Sequence, residues 1–141
     1  SAYTVEINGG WMKNLRKLVV ITLIFALVLC GCEGNVMKIT KDMNGQTVTL
    51  QKDGTLILTI DGNPTTGYNW EVSEVDQTIL EPLGEPEYDS DSALIGSGGT
   101  YTFTFKAAAA GTTNLKLIYY RSFEKDVPPV ETFEITVVVN E

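Results

Sequence analysis

Asn63-Pro64-Thr65-Thr66-Gly67-Tyr68-Asn69-Trp70 places two neighbouring hydroxyls on a stiff turn that runs straight into an aromatic strand. Pro64 fixes its own φ, Asn63 and Gly67 tolerate left-handed backbone, and the alternation of Tyr68 and Trp70 anchors the far end of the turn in a β-core. The chemistry on offer is recognition by hydrogen bonds. Nucleophilic use of a hydroxyl needs a base beside it, and histidine is absent from all 141 residues. That absence also removes the commonest metal ligand. Asp89-Ser90-Asp91 brings hard oxygens together, but without the Asp-x-Asp-x-Asp-Gly loop and distal glutamate of a calcium site. No carboxylate pair stands out for glycoside chemistry. The expectation is a protein that is not an enzyme and carries neither metal nor cofactor.

Two further segments have the same character. Gly96-Ser97-Gly98-Gly99 breaks into the run Thr100 to Phe105, with Tyr101, Phe103 and Phe105 on one face. Arg121-Ser122-Phe123-Glu124 follows the apolar strand that ends at Tyr120. In this order the three segments resemble the chagasin family, proteinaceous inhibitors of papain-like cysteine peptidases. That family carries Asn-Pro-Thr-Thr-Gly-aromatic, then Gly-x-Gly-Gly, then Arg-Pro-Trp. The third match is partial, since Ser122 stands for the proline and Phe123 for the tryptophan. The resemblance runs from about Gln46 to Val139.

The resemblance implies an immunoglobulin-like sandwich whose three loops form a wedge. It implies peptidase-binding roles for Asn63, Pro64, Thr65, Thr66, Gly67 and Tyr68, for Gly96, Ser97, Gly98 and Gly99, and for Arg121 and Phe123. Thr65 and Thr66 would enter the catalytic centre, with hydroxyls and main chain bonding beside the nucleophile. The glycine segment would approach one lobe of the enzyme, and Arg121 with Phe123 the other. The implied activity is reversible, competitive, non-covalent inhibition by a monomer.

The elements that must position these loops are all strands. Thr47–Gln51, Thr55–Ile60, Tyr68–Val75, Thr100–Ala107, Thr113–Tyr120 and Thr132–Asn140 alternate or run apolar, and no helical period persists. Asp53-Gly54, Asp61-Gly62 and Ala110-Gly111 read as the turns between them. Leu56, Leu58 and Ile60 share one face, as do Phe133, Ile135, Val137 and Val139. Six or seven strands in about a hundred residues predict an all-β, immunoglobulin-like sandwich, in which connecting loops gather at the two ends. Between Glu71 and Asp91, the acidic run with Pro82 and Pro86 reads as a solvated loop or an irregular edge strand.

At the amino end, Met12 to Lys17 is basic, Leu18 to Leu29 is apolar, and Cys30-Gly31-Cys32 follows. This is a secretory signal pattern, and its apolar run is shorter than the roughly 20 residues a spanning helix needs. Leu29-Cys30-Gly31-Cys32 resembles a bacterial lipobox with Cys32 as the lipidated residue. The expected division is an upstream leader or expression remnant at 1–11, a signal peptide at 12–31, lipidated Cys32 with a flexible tether to 43, and one inhibitor domain over 44–141. The protein is then expected to be exported and lipid-anchored to the cell envelope, with the membrane and a papain-like peptidase as its partners. After Cys32, seven basic side chains face seventeen acidic ones, a balance of −10. Nucleic acid is excluded as a partner on that charge. The alternative function is a lipid-anchored, immunoglobulin-like adhesion or scaffolding domain that keeps the fold without inhibiting, since fold does not fix function.

Overall fold

The computed structural model describes Gly34–Glu141, and the leader, the signal peptide and Cys32 lie outside the described residues. Among the described residues nine strands make two sheets. One sheet has the order β1 (Val36–Thr40), β3 (Thr55–Gly62), β7 (Gly99–Ala107), β5 (Leu80–Pro82), with β6 (Glu87–Ser90) also on β7. The other has the order β2 (Thr47–Gln51), β9 (Glu131–Asn140), β8 (Gly111–Tyr120), β4 (Asn69–Glu74). Both sheets are mixed, because β1 runs parallel to β3 and β2 parallel to β9 while the other pairs are antiparallel.

The period-2 pattern explains the layers. Leu56, Leu58 and Ile60 of β3, Tyr101, Phe103 and Phe105 of β7, Leu115 and Leu117 of β8, and Phe133, Ile135, Val137 and Val139 of β9 are buried between the sheets, while their neighbours in sequence are less buried. Burying each large apolar side chain contributes about 1.5–3 kcal/mol before the entropy of ordering is subtracted. No cysteine lies among the described residues, so this packing holds the domain without a disulfide.

Two expectations change. The segment 36–43, expected within the flexible tether, belongs to the domain: β1 pairs along its whole length with β3, and Lys41–Met43 forms a single 3-10 turn. Ile39 is buried and Met37 packs against the core. As an edge strand β1 buries only one residue fully, so its alternation is faint. Asp61-Gly62 is not a turn but the end of β3, where Asp61 pairs with Thr100 and the Asp61 carbonyl accepts the Trp70 indole N–H at 2.9 Å. For the acidic stretch the edge-strand alternative holds, since it contains two short strands, β5 and β6, both on β7.

Strand direction places the loops. β3, β6 and β8 end, and β4, β7 and β9 begin, at one pole of the sandwich. The connections 63–68, 91–98 and 121–130 therefore share that pole. The turns at 52–54 and 108–110, and the final residues, share the other.

Candidate functional site

The first loop is rigid because its own side chains close it. Asn63 caps the one-turn 3-10 segment Pro64–Thr66, its Oδ1 accepting from the Thr65 amide at 3.2 Å and the Thr65 hydroxyl at 2.5 Å. The Thr66 hydroxyl donates to the Asn63 carbonyl at 2.6 Å. Gly67 ends the turn at φ 84°, left-handed backbone that a side chain makes costly. Both threonine hydroxyls thus commit their protons inside the turn. What they present outward is methyl groups and acceptor lone pairs, with the main chain beside them.

Side-chain bonds to backbone tie the three loops together. The Asn63 side-chain amide donates to the Gly96 carbonyl at 3.0 Å, joining the first loop to the second. Arg121 Nε donates to the Thr66 carbonyl at 3.1 Å, joining the first to the third. The Arg121 guanidinium lies 4.3 Å from the centre of the Tyr68 ring and pairs with Glu124 at 3.0 Å. Phe123 packs over Gly67, where an added Cβ would come within 2.9 Å of its ring. Beneath them the Tyr119 hydroxyl accepts the Asn63 amide at 2.9 Å, and its ring meets those of Trp70 and Tyr68 at 5.0 and 5.4 Å.

The twelve residues given peptidase-binding roles therefore stand at one pole, and the motif residues have unlike duties. Trp70, Tyr101 and Phe103 are core, as their alternation predicts. Tyr68 is half-buried under Arg121. Ser97 turns inward, its hydroxyl 3.1 Å from that of Ser90 and donating to the Ser92 carbonyl at 3.0 Å, so it shapes its loop. Gly99 is buried in the β6–β7 ladder. Phe123 is 68% exposed.

Sequence reasoning missed four residues here. Tyr119 is the hub beneath the first loop, yet in Tyr119-Tyr120 nothing in the sequence says which ring turns inward. Glu124 orients Arg121, a partnership its spacing of three could have suggested. Leu94 and Ile95, 77% and 103% exposed, crown the second loop just before Gly96. Their signal was an apolar pair between serines and glycines, where a solvated loop has no use for one.

Electrostatically the pole carries more acid than base. Asp89, Asp91, Glu124, Asp126 and Glu131 stand against Arg121, Lys125 and Lys41, with Arg121 paired to Glu124 and Lys41 to Glu131. The Tyr120 phenol bonds to the Glu71 carboxylate, which raises its pKa, and burial raises that of Tyr101, whose hydroxyl donates to Asn69 Oδ1 at 3.0 Å. Both phenols stay neutral at physiological pH. A crevice of ≈ 260 Å³ lined by Trp70, Val72, Pro82, Pro86, Phe103 and Phe105 opens on the flank and takes no residue from the three loops.

Arg121 carries the largest share of this cross-bracing. On the peptidase-binding role that the resemblance implies for Arg121, Arg121→Ala is expected to weaken target binding by about 2 kcal/mol, roughly thirtyfold, from one charge-assisted hydrogen bond and one cation–π contact, with little change in melting temperature. Arg121→Lys should recover little of this, since an ammonium lacks the planar fork that stacks and bonds at once. Inhibition constants for the two variants check this; wild-type affinity in the lysine variant would contradict it.

Comparison with known proteins follows the same residues. The family described as chagasin family peptidase inhibitor I42 matches residues 49–137. Chagasin of Trypanosoma cruzi is 30% identical over 107 residues, covering 73% of this chain and 97% of chagasin. Among solved structures, a cysteine protease inhibitor from Entamoeba histolytica shares the fold with a TM-score of 0.68 at 20% identity, covering 78% of this chain and 100% of its own. PbICP-C, solved in complex with falcipain-2, shares it with a TM-score of 0.53 at 21% identity, covering 76% of this chain and 100% of its own. With the three loops in order on this fold, the chain belongs to the chagasin family of peptidase inhibitors and is an inhibitor, not an enzyme.

Proposed function

We propose that the domain inhibits papain-like cysteine peptidases reversibly, competitively and without a covalent bond, by placing loops 63–68, 91–98 and 121–126 in the active-site cleft. The observation that carries this reading is the pair of bonds, Asn63 to Gly96 and Arg121 to Thr66, that fuse three loops distant in sequence into one braced tip. A tip already ordered loses little entropy on binding. Such a cleft lies between two lobes with the nucleophile at its floor. The narrow, uncharged Thr65-Thr66 turn suits the floor, exposed Leu94 and Ile95 suit one wall, and Phe123 with Arg121 the other. Aromatic and arginine side chains are the usual interface anchors. An interface of about 1,600 Å² in total is the standard size for such complexes. The internal bonds of the first loop hold its main chain in a tight turn, which keeps its peptide bonds away from attack geometry.

We propose likewise that Cys32 is lipidated and that the exported domain, a monomer, is held at the cell envelope. The Leu29-Cys30-Gly31-Cys32 sequence after a basic and apolar leader supports this.

Kinetics test the first proposal. Titrating the domain into papain against a fluorogenic peptide should raise apparent KM in proportion to inhibitor while kcat stays constant, with activity recovered on dilution and the inhibitor uncleaved. A fall in kcat at constant KM would contradict competition. Full activity of papain and of a cathepsin-like enzyme under excess folded domain would favour the adhesion or scaffolding reading, for which the altered third loop, Ser122 and Phe123, is the supporting feature.

A further inference from the structure

Folding of β1 into the domain changes how an anchor at Cys32 would hold it. β1 runs parallel to β3 and starts opposite Thr55, at the pole away from the three loops. The Asn35 carbonyl accepts the Thr55 amide at 2.8 Å, beside the Asp53-Gly54 turn. Only Glu33 and Gly34 separate Cys32 from Asn35. Three Cα steps reach about 11 Å at most. The loops lie beyond the full length of β3, whose eight residues span about 26 Å.

We propose that, on the reading of Cys32 as the lipid anchor, the domain stands on the bilayer with its Asp53-Gly54 and Ala108–Ala110 pole and holds the inhibitory loops outward in the aqueous phase. A twelve-residue flexible tether would let the domain turn over. Two residues do not. Charge differs modestly between the poles. At the lower pole Lys52 lies 3.8 Å from Glu141 and Lys106 3.9 Å from Asp53, with Asp76 as one further acid beside the 108–110 turn. The Ala108–Ala110 turn beside them is uncharged. At the loop pole Asp89, Asp91, Glu124, Asp126 and Glu131 outnumber Arg121, Lys125 and Lys41 by two, and an anionic lipid surface repels that excess over about a Debye length, ~8 Å at physiological salt. The partner that fits the outward pole is a peptidase arriving from solution, with its cleft open to the bulk.

Lysine footprinting tests the orientation with native side chains. The mature chain Cys32–Glu141, which retains every described residue, is coupled through the Cys32 thiol to a maleimide-headgroup lipid in vesicles of phosphatidylcholine and phosphatidylglycerol. Acylation by an amine-reactive ester is then followed by mass spectrometry. Relative to the uncoupled chain, Lys52 and Lys106 should react severalfold more slowly on vesicles and Lys125, in the third loop, at an unchanged rate. Slowing of Lys125, or equal rates at all three lysines with and without vesicles, would overturn the proposal. Native lipidation is read separately, from the intact mass of the full chain recovered from a bacterial membrane fraction. An unmodified Cys32 would remove the anchor reading itself, whatever the footprint shows.

Discussion

Gly99→Ala is expected to lower the melting temperature by about 12–24 °C. Gly99 sits at the start of β7 between Gly62 of β3 and Ser90 of β6. A Cβ there would lie 2.1 Å from the Asp89 carbonyl oxygen and 2.7 Å from the Tyr88 hydroxyl. The backbone oxygen cannot swing aside as a side chain would, so β6 must separate from β7 or β7 must shift in the sheet. Overpacking of this kind costs on the order of 3 kcal/mol, and each kcal/mol moves the midpoint of a domain this size by about 4–8 °C. Inhibition should weaken as well, because β6 and β7 carry the loop that holds Leu94, Ile95 and Gly96. Thermal unfolding followed by circular dichroism checks this. A midpoint within a few degrees of wild type would mean that β6 and β7 are not so closely apposed.

Thr65→Asp should have the opposite profile, with loss of inhibition and little loss of stability. Thr65 is exposed in the free protein, where a carboxylate stays hydrated. In a closed cleft the same carboxylate loses that water without a fixed partner, which costs several kcal/mol. It also removes the hydroxyl that donates to Asn63 Oδ1, weakening the cap of the turn. Together these predict an inhibition constant higher by about a hundredfold or more, with a melting temperature near wild type. Undiminished inhibition by the aspartate variant would place the contact surface elsewhere on the domain.

What the sequence discloses here depends on how many residues report each feature. β2 matches its expected bounds residue for residue because it alternates over all five of its residues, and β3, β7, β8 and β9 fall within two residues because each buries a longer alternating set. The edge strands report faintly: β1 buries Ile39 alone, β5 buries Leu80 alone, and Tyr88 of β6 is only half-buried. Too few alternations remain to separate such segments from loops, and the expected tether was lost in that way. The loop residues were legible for another reason. Asn, Pro, Thr and Gly at those spacings make turn chemistry that needs no distant partner. The bonds between loops were not legible, since Asn63 meets Gly96 and Arg121 meets Thr66 only once the registers β3–β7 and β4–β8 are set. Glu124 shows how a changed motif can be compensated. Without a proline at Ser122, the third loop is held by the Arg121–Glu124 pair and by the Glu124 amide, which donates to the Arg121 carbonyl at 3.1 Å.

Amide hydrogen exchange of the domain, free and bound to papain, tests the three-loop wedge most directly. Exchange should slow on binding in 63–68, 91–98 and 121–126, with the turns at 52–54 and 108–110 unchanged. Protection of the lower pole or of a sheet face, with the amides of Thr65, Thr66 and Gly67 exchanging as in the free domain, would contradict it.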